Sequence, residues 1–279
     1  MSTLREKRKK ERRALRRRKT ADWTVVLILC AIAVCCGGYL IYHHWSVKQR
    51  ELEYEKLRQE ETLSAATETV IAEPETEEST EETVIYCDPV YDFGQLHEQN
   101  EDIYAWIVVP GTQVDYPLLQ SETDNYYLDY NLDHSKGYPG CIYTNQCNRK
   151  DFSDYNTVLY GHNMKNGSMF AQLKKFTQDE ETYKKSKYFW IFTPEKNYRY
   201  EIISAYTTGV NSDTYTLFKG PGEEFEKYLE KIRGYSEIRT DAEGMNIKDK
   251  IITLSTCTGN EATRYVVQGK RVDTLDIEK

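Results

Sequence analysis

Residues Trp23–Tyr42, WTVVLILCAIAVCCGGYLIY, are twenty consecutive positions without a charge. An α-helix of about 20 residues spans a hydrocarbon core of roughly 30 Å. Trp23 and Tyr42 stand at its two ends, where aromatic rings favour the membrane interface. A secretory signal has a shorter apolar region, about 7–15 residues, followed by a small-residue cleavage site. Here the run passes straight into His43, His44 and Trp45. Residues 23–42 are therefore expected to be a retained transmembrane signal anchor. Residues 1–22 carry eleven Lys and Arg against Glu6, Glu11 and Asp22. Such a basic block belongs on the cytoplasmic side. The expectation is a single-pass protein with a cytoplasmic N-terminus and an extracellular body.

The formal net charge of -8 conceals this split. Removing residues 1–22 leaves 26 basic and 42 acidic residues, a net of -16. An acidic body argues against nucleic acid as a partner. Residues 46–62 are rich in good helix formers and can prolong the anchor helix by a few turns. Residues 63–86, LSAATETVIAEPETEESTEETVIY, are dominated by Glu and Thr and read as a solvated, self-repelling tether. Residues 43–86 are thus expected to act as a spacer and residues 87–279 as the folded domain. Deleting residues 1–85 is expected to leave that domain soluble and active.

Within the domain, β signals dominate. Ala105–Val109 ends at the turn pair Pro110-Gly111, and Val114–Leu119 follows with Pro117 marking an edge or bulge. GCIY, NTVLYG, KYFWIFT, YRYEIISAY, KIITLS and RYVVQG are six more β-branched or aromatic runs. Three helices are expected. One lies within Tyr91–Ile103, with Phe93, Leu96 and Ile103 inward. A second follows Ser168 as its cap. A third follows Pro221-Gly222, with Phe225, Tyr228, Leu229 and Ile232 on one face. About eight short strands and few helices predict a mostly β fold, a closed eight-stranded barrel behind one transmembrane helix.

Of seven cysteines, Cys30, Cys35 and Cys36 lie in the apolar run. Cys87, Cys141, Cys147 and Cys257 remain, and the pairing of Cys141 with Cys147 is left open. Neither CxxC nor HxxxH spacing occurs, which disfavours a zinc site. Cys257 ends the apolar run Ile251–Thr256 and faces a loop, the accessibility that a nucleophilic thiol needs. His162 ends the apolar run Asn156–Tyr160 just past Gly161, where an imidazole can exchange protons with a thiol and a leaving amine. Arg264 opens the next strand, seven residues past Cys257. In a tight antiparallel pair it lies beside the thiol and can support an oxyanion. Arg271 lies further along that strand. His97 and His134 sit in polar surroundings and read as surface residues. A buried, inert thiol and a loop histidine are the plainer readings of Cys257 and His162.

TLSTC (Thr253–Cys257) followed by Arg264 resembles the sortase signature TLxTC…R, and NTVLYGHN (Asn156–Asn163) resembles the segment that carries the family's catalytic histidine. The likeness extends through Ala105–Leu128, Gly140–Tyr143 and Ser168–Phe170, and is greatest to class B sortases. It implies an eight-stranded barrel and a cysteine transpeptidase acting through Cys257, His162 and Arg264. Thr256 is implied to line the sorting-signal groove, with Ser255, Leu128 and Tyr215 as further substrate contacts. The implied reaction cleaves a C-terminal sorting signal of a surface protein through a thioacyl enzyme. The acyl group then passes to an amine of a Gram-positive cell-wall precursor or a pilin. No cofactor or metal is implied. A membrane-anchored cysteine protease that only hydrolyses, and a catalytically inert tethered binding domain, are the competing readings.

Overall fold

The computed structural model describes residues 2–63, 90–242 and 244–277. Cys87 and all but the first residue of the Glu/Thr-rich stretch lie outside the described residues. The chain divides into two compact units, Met1–Arg50 and Glu51–Lys279.

Helix α1 runs over Ser2–Glu61. From Trp23 onward it contains an 18-residue window with a mean hydropathy of 2.5, none of it buried, which makes it long and apolar enough to cross a membrane. Its continuation past the apolar run agrees with the helix-forming composition of residues 46–61. Its last turns, however, are part of the second compact unit. Tyr54 and Leu57 are 4% and 2% exposed. The Tyr54 hydroxyl donates to the Gly140 carbonyl at 3.0 Å, and Arg58 Nη1 donates to the Asp115 carbonyl at 3.0 Å. Two apolar residues at i, i+3 make a short stripe that a count dominated by Glu and Lys hides.

The remaining elements follow in chain order. Strands β1 (Thr62–Leu63) and β2 (Val90–Tyr91) form a small antiparallel ladder. Helix α2 (Phe93–Gln99), β3 (Ile103–Val109), β4 (Val114–Leu119), α3 (Tyr126–Asp129), β5 (Ile142–Thr144) and β6 (Asn156–Tyr160) come next. Then come α4 (Lys175–Gln178), α5 (Glu180–Lys185), β7 (Tyr188–Phe192), β8 (Lys196–Gly209), α6 (Glu223–Gly234), β9 (Ile251–Cys257) and β10 (Thr263–Asp276). Strands β3 to β10 close into an eight-stranded barrel in the order β10-β8-β7-β3-β4-β5-β6-β9. All neighbours are antiparallel except β4–β5 and β6–β9, which are parallel. Each of the eight β-rich runs in the sequence supplies one barrel strand.

Ile107, Leu118, Leu159, Ile191, Ile202, Leu254 and Val267 are completely inaccessible and belong to one core cluster. Burying each such side chain contributes about 1.5–3 kcal/mol relative to exposure. Outside the barrel, α6 packs Phe225, Tyr228, Leu229 and Ile232 against Ile203 and Ile251 in a second cluster. Pro117 pairs with Trp106 at a point where β5 has not yet joined β4, so its missing N–H interrupts no ladder on that side.

Two expected helices differ. Helix α2 ends at Gln99, capped at its start by Asp92, and Ile103 instead opens β3. Ser168 does not cap a helix. Its hydroxyl donates to Asn166 Oδ1 at 2.8 Å, Met169 adopts φ +56°, and a 3-10 turn at Ala171–Lys174 precedes α4. Cys141 is buried, Cys147 is exposed, and the two are not joined by a disulfide.

Candidate active site

Strands β6 and β9 run parallel with Tyr160 opposite Ser255, and the Gly161 N–H continues the ladder to the Ser255 carbonyl at 3.1 Å. His162 and Cys257 each lie two residues beyond that pair, so the register delivers both to one end of the barrel. Gly161 is needed there. A Cβ on it would collide with Ile142 Cδ1 and lie 2.8 Å from the Phe170 ring. Cys257 is half-buried at the end of β9. Its carbonyl accepts a hydrogen bond from Asn163 Nδ2 at 2.7 Å.

The His162 ring is placed from two sides. Its Nε2 lies 2.7 Å from the Leu128 carbonyl, a contact that requires a proton on Nε2. The Tyr138 ring meets it edge-on, with centroids 5.1 Å apart. The backbone beyond it is fixed by Phe170 N–H to the His162 carbonyl at 3.0 Å and by an Asn163–Met169 bridge. Met169 N–H in turn donates to the Tyr116 hydroxyl at 3.0 Å.

Arg264 stands directly opposite Cys257 in the β9–β10 ladder. Its Nη1 donates to the Glu261 and Thr263 carbonyls at 3.0 and 2.8 Å. Arg271 lies further along the same strand, past the β9 ladder and opposite Tyr200, with its guanidinium over the Tyr198 ring. The structure thus brings Cys257, His162 and Arg264 to one barrel end and leaves Arg271 at the other.

A sequence profile described as the Sortase domain matches residues 107–272. The chain belongs to the sortase family. It is 38% identical over 182 residues to Sortase B of Listeria monocytogenes, covering 63% of this chain and 72% of that protein. It is 28% identical over 249 residues to Sortase B of Staphylococcus aureus, covering 88% and 93%. A Staphylococcus aureus sortase B–substrate complex matches with a TM-score of 0.60 at 29% identity, over 65% of this chain and 84% of that one. These relatives make the chain a class B sortase, a cysteine transpeptidase.

Around the thiol of this sortase, alternate residues of β9 face opposite ways. Ser255 shares the outward face with Cys257, and its hydroxyl is 2.9 Å from the Tyr215 hydroxyl. Burial, partly offset by that bond, pushes the Tyr215 pKa up to about 12, so the phenol stays protonated across the physiological range. Tyr215 stacks on Tyr160, and Tyr160 packs on Tyr143, giving a row of rings on the Ser255 side of the strand end. Thr256 faces the other way. It is 2% exposed, paired with Tyr265 in the ladder, and its Oγ1 has no hydrogen-bond partner. Its side chain therefore points into the barrel and away from the surface that carries Cys257. Leu128 meets the site through its backbone carbonyl.

Sequence reading gave no role to Asn163 or Tyr138. Asn163 stands next to His162 in the quoted motif, and its amide type in a loop after a strand was the available signal. Tyr138 had none, because its approach to His162 depends on how the loop after α3 folds back. Among the described residues no group of three His, Cys, Asp or Glu is placed to hold a metal ion.

Proposed function

We propose that this sortase cleaves a C-terminal sorting signal with Cys257 and passes the acyl group to an amine. The observation that supports the reading best is the parallel β6–β9 register, which ends both strands in step at His162 and Cys257. The Cys257 thiolate attacks a backbone carbonyl of the signal. A C–S bond forms, the C–N bond breaks, and the departing amine takes a proton from imidazolium His162. The acceptor amine then attacks the thioester and gives a proton to the now neutral His162, a new C–N bond forms, and the C–S bond breaks to release the thiolate. The acceptor is an amine of a Gram-positive cell-wall precursor or a pilin lysine.

Arg264 supports the developing oxyanion or the bound peptide carbonyl. It must first release the Glu261 and Thr263 carbonyls that it holds without substrate. The ring row Tyr143, Tyr160 and Tyr215 lines the approach to the thiol, with Ser255 fixing Tyr215 and the Thr256 backbone continuing the edge. The Leu128 carbonyl accepts from His162 Nε2 and so orients the ring. The helix at residues 23–42 anchors the enzyme, with residues 1–22 in the cytoplasm and the barrel outside.

Product analysis with a peptide library tests this. Incubation with an amine should yield a peptide cut within the signal and joined to that amine, and Cys257→Ala should yield neither product. Hydrolysis alone, at every amine concentration, would replace the transpeptidation reading with a protease. Cleavage surviving in Cys257→Ala would remove the nucleophile assignment.

A further inference from the structure

At the barrel end opposite the thiol, the turn between β7 and β8, the residues after Cys147 and the start of β9 enclose a cleft of about 840 Å³. Strand β9 starts at this cleft and ends at Cys257, so its length sets the two sites about 20 Å apart. The cleft is unlike the rest of the acidic body. Lys150, Lys196, Lys250 and Arg271 line it against Asp151 and Glu195 alone. Asp151 is already engaged, its Oδ1 accepting from Ser153 N–H at 3.0 Å. Lys196 pairs with Asp276 at 3.4 Å.

The other three cations have no carboxylate in ion-pair range among the described residues. Each rests instead on a ring face, with Arg271 Nη1 also donating weakly to the Phe152 carbonyl at 3.5 Å. Lys250 Nζ sits 3.3 Å from the Tyr155 centroid, Arg271 5.1 Å from Tyr198, and Lys150 5.5 Å from Tyr104. Tyr104 and Tyr198 are themselves 8% and 5% exposed, so these rings are fixed walls. Ring faces orient cations but do not neutralise them. Burial and the Arg271 guanidinium lower the Lys250 pKa, only partly offset by Asp154 and Asp151, as expected where cations outnumber counter-charges.

We propose that this cleft binds a phosphate-bearing ligand with more than one negative charge. The planar fork of Arg271 suits two phosphate oxygens, while Lys150 and Lys250 act as point charges beside it. The volume is that of a small-molecule site, which is roughly 300–1,000 Å³. It exceeds the need of a single inorganic ion.

The basic N-terminal tail also attracts polyanions, so the test must be resolved residue by residue. The full chain in non-ionic detergent is acylated at its amines with and without sodium pyrophosphate, ionic strength being held constant with chloride. Peptide mass spectrometry then reads each lysine. Lys150 and Lys250 should be protected about tenfold when pyrophosphate is at ten times its Kd. Lys184 and Lys227, exposed elsewhere, should not change. Arg271→Gln should abolish the protection. Should that variant melt early, Lys250→Gln read at Lys150 should abolish it in the same way. Equal modification with pyrophosphate and chloride overturns the proposal. So does uniform protection of all lysines, or protection that survives both substitutions.

Discussion

Asn163 and Cys257 are tied directly, the side-chain amide of one donating to the main-chain carbonyl of the other at 2.7 Å. Because Asn163 adjoins His162, this bond holds the His162 loop against the end of β9. It complements Gly161 N–H to Ser255, which sets the same register one step earlier. Asn163→Ala should lower kcat about tenfold, equivalent to about 1.4 kcal/mol in the barrier, with KM little changed. Asn163→Asp should be worse, since a carboxylate cannot donate to the carbonyl. Steady-state peptide cleavage and a thermal melt check this. A fall in Tm matching the loss of rate would make Asn163 merely structural.

Arg264 and Arg271 share one strand but not one end of it. Arg264 faces Cys257 in the ladder, whereas Arg271 faces Tyr200. A guanidinium presents a planar fork of donors and lysine a compact charge. Arg264→Lys should therefore lose most cleavage activity while keeping the fold, and Arg271→Lys should leave it nearly unchanged. The opposite ranking in a kcat/KM comparison would move the oxyanion role to the wrong end of the barrel and defeat the proposed mechanism.

The strands were legible because their signal is local. Runs such as IITLSTC and NTVLY are apolar, β-branched and bounded by turn residues, and each became a strand. Cys257 and His162 were legible as candidates for the same reason, each standing at or just past the end of such a strand. What was not legible depended on partners distant in sequence. Ile103 continues an apolar helical spacing, but β4 and β7 claim the strand it opens. Thr256 sits beside Cys257 in sequence, yet the period of two turns its side chain inward. Tyr54 and Leu57 are two apolar residues in a charged helix. Contacts with residues far along the chain, Tyr116 and Gly140 among them, make that stripe a docking face.

A buried polar network behind β9 fixes Tyr215. Gln268 donates to Tyr228 and Thr253 and accepts from Ser204 and Tyr206. Thr253 donates to Asn156, whose amide holds the Thr214 and Thr216 carbonyls on either side of Tyr215. Gln268→Leu would leave several of these groups unpaired, at about 1–3 kcal/mol for each one orphaned. The expected outcome is a melt lowered by several degrees together with a raised KM for the signal peptide. A variant that melts and binds like the parent would show that Tyr215 is held by packing alone.

Asp213 gives the turn before Tyr215 a dependence on acid. Its hydrogen bond to Lys231, at 2.7 Å, outweighs burial and lowers its carboxyl pKa. The folded form therefore binds its proton less readily than the unfolded chain. Its stabilisation is present above the ordinary carboxylate range and is lost as pH falls through the lowered folded value. The pair is largely solvent-exposed, so screening should keep the effect small. Asp213→Asn should unfold at slightly lower urea than the parent near neutral pH, and the gap should close in acid. A gap that widens in acid would contradict the assignment.

The end of α1 belongs to the folded unit, which bears on where the catalytic domain begins. Tyr54 meets the Tyr116 ring edge-on at 5.2 Å, Arg58 lies over the same ring, and the Tyr116 hydroxyl holds Met169 at the base of the His162 loop. A chain starting at residue 87 lacks Tyr54 and Leu57 and bares the surfaces they cover. Losing two such side chains should cost about 3–5 kcal/mol. At roughly 2–4 °C for each kcal/mol, that is a fall in Tm of about 10 °C. The fragment 51–279 should keep the Tm of the unit. Because Tyr116 touches the His162 loop, the shorter fragment should also turn over more slowly at temperatures where both are folded. Calorimetry and peptide cleavage on the two fragments side by side decide it. Equal Tm and equal kcat would return the helix end to the tether and set the domain boundary at residue 87.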